Sequence, residues 1–393
     1  MADRHSHGAG VDRRHVLRTA GRVGAAAAVG GLALRGGWLA AAPASAAPLV
    51  AERPLRIGYL PITDASALLA AHELGYLRAS GLGDAAPVLF RSWDTLAQAL
   101  TVGDVDAVHL LLPFALQLRV ARKVPLKVVA WGHTNGSTLT VAPTITATEQ
   151  LAGRRVAVPY WWSIHSVLTQ RVLASVGLTP VIREAASTAR GTVELVVMAP
   201  ADMVSALASG AIAGFTVADP FSAVAEAKGV GRVHRFLGDV WADHACCAIT
   251  VRQELVDTQP RAVQALTDAV VAAHGWLDGN RGDAGRLLTG AGYLPQAEAA
   301  VGKVFTRDAA AYAPIARHPE WRGEHLGFTA FPQESYTAAL VGLLRRTAVD
   351  GDSTWLPADA SAAHRDLVDD RFVRASLLRA GQTITPRKEL IEP

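Results

Sequence analysis

Leu55-Arg56-Ile57-Gly58-Tyr59-Leu60, then Pro61-Ile62-Thr63-Asp64, then Ala65 to Leu74 decides the architecture. The first six residues alternate as a strand does, the next four turn, and the last ten read as a helix stopped at Gly75. The unit recurs downstream. Pro87–Phe90 reads as a strand, and Asp94 begins a helix over Thr95–Val102 that Gly103 stops. Strand Val105–Leu110, helix Phe114–Lys123 and strand Leu126–Trp131 follow. Alternation of this kind predicts a parallel α/β sheet. A second series then begins: strand Arg155–Val158, helix His165–Val176, strand Glu194–Met198, helix Met203–Ser209, strand Ala213–Val217. One returning strand, Ala248–Val251, leads into helices over Pro260–Asp278, Asp283–Leu288, Gln296–Val304, Ser335–Thr347 and Asp366–Ala380. Two α/β units and a return predict two lobes with a ligand cleft between them. Residues 54–140 and 250–393 form one lobe and 141–249 the other, with crossings near 139–146 and 246–252.

The chain has 393 residues, half of them hydrophobic, which is enough for a sizeable core. Residues 1–46 read as a twin-arginine signal peptide. Arg13-Arg14-His15-Val16-Leu17-Arg18 precedes a weak apolar run, Gly24–Leu34, and the small-x-small site Ala44-Ser45-Ala46. The bland alternative is a disordered basic tail. The segment carries six arginines and two aspartates, so its removal takes the net charge from +3 to about −1. The basic pI belongs largely to the signal, and no nucleic-acid partner is implied. No later stretch is long and apolar enough to span a bilayer, which needs ~20 residues. Export to the periplasm or cell surface of a monomeric chain, without membrane insertion, is expected. The two cysteines, Cys246-Cys247, are neighbours. A disulfide between them would close a strained ring, so two free thiols, one on each face of a strand, are expected.

Several motifs resemble the solute-binding proteins of nitrate, bicarbonate and cyanate ABC importers, within the wider nitrate/sulfonate/taurine family. Arg56–Asp64 resembles the family's opening strand and first ligand loop, and Ser92-Trp93 its ligand-contacting Trp. Gly103–Pro113 is similar to a G-x-x-D-x-x-H-x-L-x-P segment. Val158-Pro159 with Ser163-Ile164-His165 is similar to the second lobe's Pro-aromatic…His loop. Leu195–Pro200 through Asp219-Pro220-Phe221, and Asp239–His244 as D-x-W-x-x-H, complete the series. The resemblance implies a two-lobed fold like that of type II periplasmic binding proteins. It also implies a small anionic solute, and a permease and an ATPase as partners. A lysine expected just after His244 is replaced by Ala245-Cys246-Cys247, and Ser137 stands where an amide side chain is usual.

A trigonal oxyanion needs donors converging in its plane and a flat group against its face. His165, opening a helix, can donate from its ring and share the helix N-terminus with an anion. Trp93 can stack on the ligand. Gly136 allows close backbone approach and Ser137 offers a hydroxyl, against the alternative of an ordinary Asn-Gly turn. Of Tyr160-Trp161-Trp162, one aromatic, Tyr160 or Trp161, is expected to roof the pocket. Asp219 ends a strand at the cleft, and Cys247 or Cys246 takes the lysine position. No cofactor is expected; Ca²⁺ held by Asp64, Asp219, Asp239 and Asp243 is the one option considered. His318, Glu320, Glu324 and His325 include metal-ligand types, but Pro319 and Gly323 make the segment a loop. No G-x-S-x-G, P-loop or strand-linked G-x-G-x-x-G is present, which argues against an enzyme. An organosulfonate binder, or an enzyme of the related pyrimidine-synthase-like group, is the alternative. Replacing Arg13 and Arg14 together with Lys is expected to abolish export, read by cell fractionation and by retention of the unprocessed precursor.

Overall fold

The computed structural model describes residues 53–321 and 325–392. The signal segment and Glu324 lie outside them. Eleven strands among the described residues form two sheets. They are β1 (Ile57–Tyr59), β2 (Val88–Leu89), β3 (Ala107–Leu111), β4 (Leu126–Trp131), β5 (Ser137–Val141), β6 (Arg155–Val158), β7 (Thr179–Val181), β8 (Thr192–Val197), β9 (Gly214–Ala218), β10 (Arg232–Phe236) and β11 (Cys247–Arg252). The first sheet runs β2-β1-β3-β11-β4 and the second β10-β5-β9-β6-β8-β7.

In the first sheet β1 pairs parallel with β2 and β3. The returning β11 inserts antiparallel between β3 and β4. In the second, β7, β8, β6 and β9 are parallel, and β5 pairs antiparallel with β9 on one side and with the edge strand β10 on the other. All five residues of β3 are buried, as a central parallel strand covered on both faces requires. Helices 66–73 and 260–279 cover one face of the first sheet with Leu68, Leu69, Val263, Leu266 and Val270. Helices 93–102 and 112–120 share a second core with the second sheet through Leu96, Leu100, Phe114 and Leu116.

The expected crossings move. The chain leaves the first sheet after Trp131 and enters the second at Ser137, so the boundary set at 140/141 cuts through β5. The return falls between Phe236 and Cys247, so 247–249 belong with the first sheet, not with 141–249. The reason is Asn135-Gly136. Both residues have positive φ, 58° and 75°, and they turn the chain directly into β5. The helix expected over Asp366–Ala380 is broken into 360–367 and 371–379. Val368 is extended between them because it bridges Val128 of β4, and the Asp369 N–H donates to the Val128 carbonyl at 2.9 Å. No helix among the described residues is long and apolar enough to cross a membrane.

Helices 281–290 and 298–305 meet at Gly285, where an added Cβ would lie 2.6 Å from the Gly302 Cα. Backbone cannot swing aside, so crowding costing about 1–3 kcal/mol outweighs the ~1 kcal/mol helix-propensity gain of Ala. Gly285→Ala is expected to lower the urea midpoint, while Gly342→Ala, whose Cβ meets nothing within 4 Å, raises or holds it.

Candidate functional site

The carboxyl ends of the parallel strands in both sheets converge, the place where open α/β sheets hold ligands. From the first sheet come the turn after β1 with Thr63 and Asp64, the start of helix 93–102 with Trp93, and His109 of β3. From the second come Ser137 at the start of β5, His165 in the first turn of helix 164–174, and Asp219 after β9. The two connections add His133 and His244–Cys247. All these side chains are buried. The halves also touch through backbone: the Thr63 N–H and hydroxyl both donate to the Asp219 carbonyl at 2.9 Å.

Ser137 Oγ and His165 Nε2 lie 3.0 Å apart, Ser137 belonging to the second sheet and not, as the expected boundary at 140 had it, to the first lobe; His165 Nδ1 has no partner. Ser163 caps the helix by accepting from the Ser166 N–H, which fixes where His165 points. Trp93 is buried with its ring edge-on to His109, 5.5 Å between centroids, and its Nε1 unpartnered. Gly136 earns its positive φ by position: its carbonyl accepts from the Asp219 N–H, and a Cβ there would sit 2.5 Å from Leu326 Cδ1.

Other expectations are corrected. Tyr160 packs on Phe114 and donates from its hydroxyl to Asp94 Oδ1 at 2.8 Å, linking a second-sheet loop to a first-sheet helix. Burial, helped by that carboxylate, pushes its phenol well above the usual range. Trp161 is half-buried against the core, and Trp162 packs on Trp355. Asp219 turns away from the His and Cys side chains. It is paired with Arg307 at 2.9 Å and accepts from Ser222, with burial pushing its carboxyl up against both partners. The four acids considered for Ca²⁺ do not meet. Asp239 accepts from the Arg317 and His318 N–H groups, and Asp243 from Asn135. His318 stacks on Trp321. The thiols are free, as expected, but not on opposite faces. Cys246 precedes β11, so strand alternation does not govern it, and the two Sγ atoms lie 3.8 Å apart.

The sequence reading left out His133 and His109 as site residues and gave Asp64 only an option as a calcium ligand. His133 Nε2 is 3.0 Å from Asp64 Oδ2, and the Cys247 thiol donates to the same oxygen at 3.2 Å. Burial alone would raise the Asp64 carboxyl, but the His133 charge overcomes it and holds the group far below its usual range. Burial would likewise depress His133, and Asp64 instead lifts it to about 10, so the pair is ionised at neutral pH. Cys246 lies 3.8 Å from His165 Nε2. Burial raises its thiol, but Cys247 and His165 bring it below its usual range, while burial and Cys246 push Cys247 up. His109 accepts from the Leu60 N–H, and His274 lies 2.8 Å from the Gly132 carbonyl. Burial pulls both imidazoles down to about 4. The motif G-x-x-D-x-x-H carried the signal for His109. Nothing local to Gly132-His133-Thr134 marks His133.

Two sheets closing over a polar cleft, with the chain crossing twice between them, define a two-lobed binding-protein fold. The nitrate-binding protein NrtA from Synechocystis, a periplasmic protein of known structure, superposes with a TM-score of 0.70 at 20% identity, over 83% of this chain and 88% of that one. Residues 50–288 match the model of the NMT1-like family, and the chain belongs to that family. It is homologous to the nitrate/nitrite-binding protein NrtA of Nostoc, at 26% identity over 60% of this chain and 56% of the relative. It is also homologous to the bicarbonate-binding protein CmpA of Synechococcus, at 23% identity over 62% and 58%. The chain thus spans about half the length of the curated relatives it matches.

His109 and His274 remain neutral in the folded protein, while the unfolded chain protonates near pH 6.5. Their depressed values make stability fall as pH drops from about 6.5 toward 4, by about 1.4 kcal/mol per unit for each histidine. His274→Gln keeps a donor for the Gly132 carbonyl without the titration. Denaturation at pH 6.5 and 5 is expected to show a shallower loss in this variant than in wild type by about 2 kcal/mol.

Proposed function

We propose that this chain is the extracytoplasmic solute-binding component of an ABC importer, whose lobes close on a small planar oxyanion of the nitrate, bicarbonate or cyanate kind. The observation that carries the reading is the meeting of Ser137 and His165 of the second sheet with first-sheet groups in one buried cleft. Homology to nitrate- and bicarbonate-binding proteins supports it. In this reading His165 and Ser137 donate in the plane of the anion, Trp93 packs against it, and charged His133 replaces the missing lysine as the nearby cation. A ligand touching both halves favours the closed form, because a ligand shifts an equilibrium only by its differential affinity for the two states. The closed monomer then docks on a permease with its ATPase. The twin-arginine leader delivers it to the periplasm or the cell surface.

A second reading has one observation in its favour. Cys246, with its lowered thiol beside His165, has the make-up of a nucleophile and base. Turnover of a bound ligand that disappears in Cys246→Ser marks an enzyme; binding without turnover marks the transport receptor.

The test is a thermal-shift panel of nitrate, nitrite, bicarbonate, cyanate, taurine and alkyl sulfonates. A ligand at 100 times its Kd adds about 2.7 kcal/mol. His165→Ala is expected to weaken the responding ligand roughly ten- to a hundredfold by calorimetry. A response only to taurine or sulfonates overturns the oxyanion assignment. Unchanged binding in folded His165→Ala removes His165 from the site.

A further inference from the structure

We propose that Asp64, His133, Cys246 and Cys247 form a binding site for a thiophilic divalent metal ion of the zinc class. The four residues come from three separate segments: the turn after β1, the first connection and the end of the second. All are fully buried, and one ligand atom from each lies within 4.8 Å of the others. A tetrahedral centre with bonds of about 2.3 Å to sulfur and about 2.0–2.1 Å to nitrogen or oxygen sets its ligand atoms ~3.3–3.8 Å apart. Here Sγ to Sγ is 3.8 Å, Cys247 Sγ to Asp64 Oδ2 is 3.2 Å, and Asp64 Oδ2 to His133 Nε2 is 3.0 Å. The first matches an edge of such a polyhedron, the other two are slightly shorter, and the remaining three pairs lie within 4.8 Å.

The bland alternative is an ion pair with two thiols beside it, and the orientation of the groups speaks against it. His133 Nε2 faces Asp64 Oδ2 at 3.0 Å but forms no aligned hydrogen bond. His133 Nδ1 and Asp64 Oδ1 also lack partners. Buried polar atoms are almost always hydrogen-bonded, so these unpartnered atoms leave the cluster without a complete hydrogen-bond network of its own.

The donor set selects the ion. Thiolate and imidazole suit zinc and other borderline or soft metals, while Ca²⁺ takes six to eight oxygens and only one carboxylate is here. Metal binding takes the proton of the charged His133 at Nε2 and that of the Cys247 thiol, with any proton Cys246 still holds, and releases them to solvent. His165 Nε2, 3.8 Å from Cys246 Sγ, then faces a coordinated thiolate as a donor from the second lobe. This inference rests on side-chain geometry and does not depend on the oxyanion reading.

The test uses the exported chain, purified reduced, stripped with chelator and titrated with Zn²⁺ or Co²⁺. One ion per chain is expected, with proton release on Zn²⁺ addition. The Co²⁺ form is expected to show a near-ultraviolet thiolate charge-transfer band and the visible bands of a tetrahedral centre. Cys246→Ser and Cys247→Ser are each expected to lower affinity ~100-fold or more and shrink the charge-transfer band. Asp64→Asn weakens binding but keeps the band, and Gly342→Ala changes neither. The wild-type spectrum decides even where a serine variant fails to fold. Reduced wild type that binds neither ion at micromolar concentration, or a Co²⁺ spectrum without thiolate bands, overturns the site. So does a folded Cys247→Ser that binds as wild type does. Repeating the anion panel on stripped and loaded protein separates the two readings. A metal response without an anion response leaves this site standing and sinks the oxyanion, and the reverse outcome does the opposite.

Discussion

Strand β11 is the constraint on which the cleft depends. Without it β3 and β4 share no hydrogen bonds, since the first sheet runs β3-β11-β4. Its register sets Cys247 opposite Leu111 and Ala248 opposite Trp131, which fixes where the second connection arrives. The arrival is tied down atom by atom. The Leu112 N–H donates to the Cys246 carbonyl, the Gly132 N–H to that of Cys247, and the Asn135 N–H to that of His244. The Tyr336 hydroxyl donates to the Ala245 carbonyl at 2.6 Å, and its ring stacks on Trp241. Both connections are thereby held side by side, with the groups they carry.

That rigidity explains how unusual electrostatics persist. A buried carboxylate beside several imidazoles is costly unless each proton is held in place. Here neighbouring histidines take opposite states. His133 is charged by Asp64, while burial and the His133 charge keep His109 and His244 neutral, at about 4 and about 3. One fixed charge pattern follows from backbone positions already set by the sheet.

Much of the architecture was legible because it is local. Periodicity and stop signals located β1, β4, β6 and the helix at 260–279 to within a residue or two. Strands β5, β7 and β10 and the helix at 221–227 were missed; β7 is three residues with a proline at its centre, and β10 carries three charged or titratable residues in five. The break at Val368 depends on Val128, some 240 residues away in the chain, and no helical pattern records it. The site divides the same way. Ser137, His165 and Trp93 stood in recognisable loops, whereas Asp64 with His133, and Cys246 with Cys247, acquire meaning only when three segments meet. Tyr160 and Asp219 sat at the right strand ends but face partners, Asp94 and Arg307, that sequence does not announce.

The carboxyl-terminal tail carries a mechanical consequence. Helix 371–379 packs on the first-sheet side, yet the residues after it run to the second. Trp241 Nε1 donates to Glu389, Ile391 bridges Trp241, and Arg235 of β10 and Arg171 of helix 164–174 both hold Glu392. The tail thus adds one more non-covalent tie between the halves, set apart from those of Thr63 with Asp219 and Tyr160 with Asp94. A tie set apart from the two crossings restricts the hinge bend that the crossings alone would allow. A fusion or cut at this end of the chain would alter how the machine flexes while leaving every cleft residue in place.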